Sequence, residues 1–179
     1  AGSVVGLLGG GQLGRMLAIA ASRLGYRAHV FEPSAAPAAD VAHAWTQAPY
    51  DDLDALRQFA EDCDVITFEF ENIPADALDA LADHATLYPS RRALEVSQDR
   101  LVEKSFLQDL GLSTAPFAAV GDDVLSALAQ TGAPAILKTR RFGYDGKGQA
   151  RVKSLSDAKA ALASLKGAPA IAEGFVEFS

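Results

Sequence analysis

Cysteine, long apolar runs and positive charge are all scarce in this sequence of 179 residues, and each scarcity removes a class of function. The single cysteine, Cys63, excludes an intramolecular disulfide and a cysteine-rich metal site, and it fits a reducing cytoplasm. Its expected place is the core, as a small apolar residue rather than a reactive thiol. Gly, Arg, Ser or Asp interrupts every hydrophobic stretch before it reaches the ~18 residues that cross a bilayer. Residues 3–8 are too short for the apolar region of a signal peptide and lead into glycines. A formal net charge of −7 speaks against a general nucleic-acid binder, whose affinity comes mostly from basic surface. Internal repeats and low-complexity stretches are absent, and residues 1–3 carry no functional expectation.

What is present is an ordinary globular composition, 49% hydrophobic and 22% charged, sufficient for one large domain or two small ones. Charge is unevenly spread. Residues 51–83 hold eleven acids against the lone Arg57, which reads as a set of solvated helix faces. Residues 138–153 hold six basic residues against Asp145, and there the charge coincides with glycines. His29 and His43 lack acids or cysteines at ligand spacing and are expected to be structural or exposed. His84 lies near a helix end, where a dipole contact is expected rather than chemistry.

The order of elements is that of an α/β protein. A strand over 4–8, a helix from 13 to 24 and a strand over 27–31 come first, with Gly25 stopping the helix. A proline- and alanine-rich loop precedes a helix over 52–61, a strand over 65–70, a helix over 76–83 and a short strand over 86–88. Strands alternating with helices imply a parallel sheet. One helix is predicted over 97–110, then a linker over 113–116. The remainder reads as strands over 117–120, 135–138, 150–152 and 170–173, with helices over 122–131 and 157–165 and a loop over 143–148.

Two glycine loops carry the functional signal. Gly9-x-Gly11-x-x-Gly14 sits between a strand and a helix, and Glu32 ends the next strand. This matches a dinucleotide-binding fingerprint, with amides and a helix N-terminus facing phosphate and an acid facing a ribose hydroxyl. The alternative is close backbone packing. In the second loop, Lys138 ends an apolar strand and is followed by cations and by glycines at 143, 146 and 148. Those glycines let the backbone bend over a ligand while the cations face its phosphates. It is not a Walker A loop, since the lysine precedes the glycines; the alternative is a surface hairpin turn.

Four segments then carry a resemblance. They are Gly9-Gly10-Gly11-Gln12-Leu13-Gly14-Arg15-Met16, Thr67-Phe68-Glu69-Phe70-Glu71-Asn72-Ile73-Pro74, Asp99-Arg100 through Lys104, and Gly143-Tyr144-Asp145-Gly146-Lys147-Gly148-Gln149. In order and spacing the chain resembles the N5-carboxyaminoimidazole ribonucleotide synthetase family of ATP-grasp enzymes, over essentially its whole length. The resemblance implies a Rossmann-like pre-ATP-grasp domain with a parallel sheet over 1–92, a linking helix and linker over 93–114, and an α+β ATP-grasp subdomain over 115–179. It implies an ATP-dependent ligase or carboxylase that makes carboxyphosphate from bicarbonate and carboxylates aminoimidazole ribonucleotide in purine biosynthesis.

By position, the resemblance puts Arg100 and Lys138 on ATP phosphates, Gly143, Tyr144, Asp145, Gly146, Lys147, Gly148 and Gln149 in a loop over them, and Glu173, Gly174, Phe175 and Val176 at adenine. Tyr144 and Asp145 are the expected catalytic residues, Asp145 steering the amine proton; their alternative is turn chemistry. Gly11, Gln12, Leu13 and Arg15 would face the phosphate or ring of the ribonucleotide, with Glu71 and Asn72 as further substrate residues, and Glu32 then loses its ribose role. Mg2+ ligands are expected beyond residue 179. The chain is therefore expected to stop before the carboxy-terminal part and to be inactive by itself. A cytoplasmic homodimer acting on small molecules, with no nucleic acid or membrane partner, completes the expectation. Three rivals remain: another ATP-grasp carboxylase or ligase, a nicotinamide-dependent oxidoreductase domain resting on residues 9–14 and Glu32, and a nucleotide-binding regulatory fragment.

Overall fold

A computed structural model describes residues 2–121, 123–143 and 146–177. The chain divides into two compact units, residues 1–95 and 96–179. In the first, the elements are β1 (Val4–Leu8), α1 (Gln12–Arg23), β2 (Arg27–Phe31), β3 (Ala44–Thr46), α2 (Leu53–Glu61), β4 (Val65–Phe68), α3 (Ala75–Ala82), β5 (Thr86–Leu87) and the start of α4 (Arg91–Ser97). The second holds α5 (Arg100–Asp109), β6 (Phe117–Val120), α6 (Val124–Thr131), β7 (Ala135–Thr139), β8 (Gln149–Val152), a 3-10 turn (Leu155–Asp157), α7 (Ala158–Ser164) and β9 (Ala170–Gly174).

The first sheet is parallel throughout, in the order β3-β2-β1-β4-β5. Its central strand β1 reads Val-Val-Gly-Leu-Leu because both faces are covered. On one face Phe31, Leu56, Phe59, Ile66, Leu78 and Leu81 form a fully buried core; on the other Leu7, Val30, Ala18 and Ala38 pack together. Gly6 has no room for a side chain, since a Cβ there would come within 2.7 Å of Cys63 Sγ. Cys63 is buried, and burial, with Asp62 and Asp64 nearby, pushes its thiol up to about 12, so it is held neutral as a core residue. The helix α1 meets the sheet through its buried Gly14 and Ala18, while Leu13, Met16 and Leu17 stay exposed. Small residues let its axis approach the strands. The chain order reverses between β1 and β4, and ligands of open parallel sheets bind at the carboxyl ends of such a strand pair.

The second sheet is antiparallel, in the order β6-β9-β7-β8. Alternation decides its faces. Ala135 and Leu137 of β7 are buried with Ala170, Ala172 and Val152 beneath α6 and α7, leaving Ile136 and Lys138 on the other face. Helices start where carboxylates cap them: Asp52 accepts from the Ala55 amide, Asp123 from Leu125, and Asp99 from Leu101 and Val102.

Several sequence expectations need correction. The helix expected over 97–110 is α5, confined to Arg100–Asp109, because Asp99 takes extended backbone and turns its carboxylate on the next amides; a separate helix, α4, precedes it over Arg91–Ser97. The strand over 65–70 ends at Phe68, and β5 pairs only its first two residues. The edge strand β3 was not foreseen, nor was the 3-10 turn that begins the helix expected from 157.

Candidate functional site

In the second unit the site grows from the exposed face of β7 and β9. Ile136 pairs with Glu173 across the ladder, so Lys138, two residues on, lies diagonal to Glu173 on the same face. Lys138 Nζ donates to Glu173 Oε2 at 2.8 Å, and Lys104 Nζ, from α5, lies 3.5 Å from the same oxygen. Lys104 also stands 5.7 Å from the centre of the Phe117 ring. Glu173 is buried, so a carboxylate is held there against its desolvation cost by two cations. One of them, Lys138, opens onto a cavity of about 540 Å³ lined also by Ala115, Ile136, Gly174, Phe175, Val176 and Glu177. Its size falls in the range of small-molecule pockets, and its wall combines apolar side chains with one cation, Lys138, and two carboxylates, Glu173 and Glu177. Arg151 stacks on Phe175, 4.3 Å from the ring centre.

The hairpin between β7 and β8 carries the second glycine loop. Lys138 pairs with Gln149, and Thr139 N–H donates to Gly148 O at 2.7 Å, which closes the turn. Gly146 and Gly148 have positive φ, and a Cβ on Gly148 would come within 2.5 Å of Thr139 Oγ1. Arg100 donates from a guanidinium nitrogen to Gly143 O at 2.6 Å, so the first residue of α5 is tied to the loop. Beside it Asp99 binds Arg140 at 2.7 Å and lies 3.7 Å from Arg141. Burial pushes the Asp99 carboxyl up, but the Arg140 guanidinium and the Leu101 and Val102 amides outweigh it and hold it below its ordinary value. Arg100, Lys138, Gly143, Gly148, Gln149 and Glu173 are thus brought together on one hairpin and its neighbours. Tyr144 and Asp145 lie outside the described residues.

The first loop is differently made. Gly11 N–H donates to Glu69 Oε1 at 2.7 Å and Gly14 N–H to Glu69 Oε2 at 2.8 Å. Gly10 N–H donates to Glu32 Oε2 at 3.0 Å, and Glu32 also takes Ser34. Two amides expected to face a ligand phosphate are therefore engaged by this chain's own carboxylate. Gln12 and Leu13 are exposed at the start of α1. Arg15 donates to Pro37 O at 2.8 Å and lies 3.5 Å from Asp40, so its guanidinium is directed to the 37–40 turn. Asn72 donates to Glu71 at 3.3 Å just past the end of β4.

Sequence reasoning passed over Glu69 and left Lys104 without a role. The signals were there in part: Glu69 heads the Glu-Phe-Glu run after β4, and Lys104 closes the Asp99-to-Lys104 segment. Among the described residues no group of three or more His, Cys, Asp or Glu is placed to hold a metal ion. No helix among them is long and apolar enough to cross a membrane.

Comparison with known proteins agrees with this two-part fold. Residues 3–98 match the model of the ribonucleotide synthetase preATP-grasp domain, and residues 105–179 that of the ATP-grasp domain. The N5-carboxyaminoimidazole ribonucleotide synthase of Brucella melitensis is 53% identical over 182 residues, covering 99% of this chain and 50% of that protein. The Staphylococcus aureus N5-carboxyaminoimidazole synthetase solved with ADP superposes with a TM-score of 0.93 at 39% identity, over 99% of this chain and 48% of that one. The Aspergillus clavatus N5-carboxyaminoimidazole synthase solved with ADP and 5-aminoimidazole ribonucleotide gives 0.88 at 32%, with coverage of 99% and 48%. The chain spans about half the length of the relatives it matches. With its parallel preATP-grasp sheet and its antiparallel ATP-grasp sheet, the chain belongs to the N5-carboxyaminoimidazole ribonucleotide synthetase family of ATP-grasp enzymes.

Proposed function

We propose that this chain supplies the ribonucleotide-facing domain and one nucleotide-facing subdomain of an ATP-dependent carboxylase. In the reaction, bicarbonate takes the γ-phosphoryl group of ATP, giving ADP and carboxyphosphate. The exocyclic amine of 5-aminoimidazole ribonucleotide then attacks the carboxyl carbon, phosphate leaves, and the amine loses a proton. The observation that carries the reading is Lys138 beside Glu173 in the wall of the 540 Å³ cavity. Phosphoryl transfer is served mainly by positioned cations and amides, and Lys138, Arg100 and the amides of residues 143 and 146–149 are of that kind. Glu173 to Val176 border the cavity where the base would lie.

Tyr144 and Asp145 are proposed to act from the same loop, Asp145 steering the amine proton. Gly11, Gln12, Leu13, Glu71 and Asn72 are proposed to approach the ribonucleotide, at the carboxyl ends of β1 and β4. Mg2+ is proposed to accompany the nucleotide and would neutralise phosphate charge. A cytoplasmic site of action is supported by the single buried thiol, and a homodimer is part of the same reading. The test is calorimetric titration of the chain with a non-hydrolysable ATP analogue and, separately, with NADH. Binding of the analogue, weakened by Lys138→Met, is expected; binding of NADH without the analogue would overturn the proposal.

A further inference from the structure

Across the second sheet, Phe117, Glu173 and Ile136 stand opposite one another on β6, β9 and β7, so their side chains share one face. Glu173, in the middle of this row, is the buried member. Lysines approach it from two elements. Lys138 Nζ donates to Glu173 Oε2 at 2.8 Å, and Lys104 Nζ lies 3.5 Å from the same oxygen, reaching it from α5 beside the Phe117 ring. Of the two lysines, only Lys138 belongs to the wall of the 540 Å³ cavity.

The second lysine changes what the first can do. With Lys138 as its sole partner, Glu173 would commit that lysine fully, because drawing it away would leave a buried carboxylate charged and unpaired. A phosphate entering the cavity would then compete with Glu173 for one ammonium. With Lys104 present, the buried group holds two cations against one carboxylate, and Lys138 can leave without orphaning Glu173. Lys104 is suited to stay behind: its side chain is only 16% exposed, and its ammonium also lies near the face of Phe117. The other carboxylate of the wall, Glu177, is exposed, so water and salt screen it where they do not screen Glu173.

We infer that Lys104 is a positioning residue for the anionic ligand: by holding Glu173 from α5, it releases Lys138 to turn from that carboxylate to a phosphate group in the cavity. Lys104 acts through Glu173 and touches no phosphate. This role rests on the reading of the cavity as a nucleotide site.

The test is NMR titration of the 15N-labelled chain with a non-hydrolysable ATP analogue, followed at the amides of residues 174–176. Lys104→Met is expected to weaken the analogue about tenfold, and Lys104→Arg, which keeps the charge, to bind within about twofold of the unaltered chain. In Glu173→Gln no carboxylate holds Lys138, so adding Lys104→Met there should change the affinity by less than about twofold. A well-dispersed Lys104→Met chain that binds like the unaltered one would overturn the inference. A tenfold loss that persists undiminished in the Glu173→Gln background would also overturn it, since Lys104 would then act by some other route. Should Lys104→Met alone fail to fold, the comparison within Glu173→Gln decides, because the buried charge is gone there. An analogue that moves none of these amides in the unaltered chain would overturn the nucleotide reading of the cavity, and this role with it.

Discussion

The two glycine loops of this chain use the same residue for opposite ends. At residues 9–14 the glycines make room for the protein's own carboxylates, and Glu69 satisfies the amides that a ligand would need. At residues 143–148 they shape a hairpin turn between two strands, one tied to Arg100 and placed next to Lys138. The amides of the first loop are held by Glu32 and Glu69, whereas at the second loop Lys138, Arg100, Arg140 and Arg141 outnumber the carboxylates of Asp99 and Glu173. Glycine spacing reports that something comes close to the backbone; the charge of the neighbours decides whether that something is a phosphate.

The contrast can be broken most directly at Lys138. Lys138→Met should weaken binding of an ATP analogue by about 2 kcal/mol, near thirtyfold, since a charge-assisted phosphate contact is removed. Calorimetry on the variant checks this, and Glu69→Gln in the same assay should leave the affinity unchanged. Next in size is Gly148→Ala, where positive φ and the 2.5 Å approach to Thr139 combine. Denaturant unfolding of the second unit should show a loss of about 2 kcal/mol, partly recovered when Thr139 is also made Ala.

Glu69→Ala addresses the other loop. It leaves two helix-start amides without their acceptor, and a loss of about 1–2 kcal/mol is expected in the first unit. Trp45, the sole tryptophan, lies in that unit and reports its unfolding by fluorescence. The smallest effect is the acid response of the second unit. The Asp99 carboxyl titrates below its ordinary 3.8 in the fold, so its stabilisation is fully present above 3.8 and lost as pH falls through the lower folded value. Urea midpoints for the second unit, followed by NMR, should fall more steeply below pH 3.8 in the unaltered protein than in Asp99→Asn.

Much of this was legible in the sequence where the cause is local. Strand β7 was legible as a short apolar run, and Lys138 near its end lies where the structure puts the cavity. The helix expected from 52 starts at its capping aspartate, and the one expected from 122 begins just after its cap, Asp123. What stayed hidden depends on partners far along the chain. The fingerprint at 9–14 cannot show that residue 69 fills it, and nothing near Lys104 shows that it shares Glu173 with Lys138. The helix expected from 97 starts three residues later because Asp99 caps α5 instead of lying within it, and the seven-residue α4 before it was given no element. Three-residue β3 is held by pairing with β2 and carries too few residues to show a period. The family resemblance supplied the function that these local signals alone did not.

The central claim is that the phosphates of ATP are received by the second glycine loop rather than by the first. An ATP-analogue titration of the 15N-labelled chain, read at glycine amides, tests it in one experiment. Shifts at Gly143, Gly146 and Gly148 with Gly11 and Gly14 unmoved are predicted; shifts confined to Gly11 and Gly14 would contradict it.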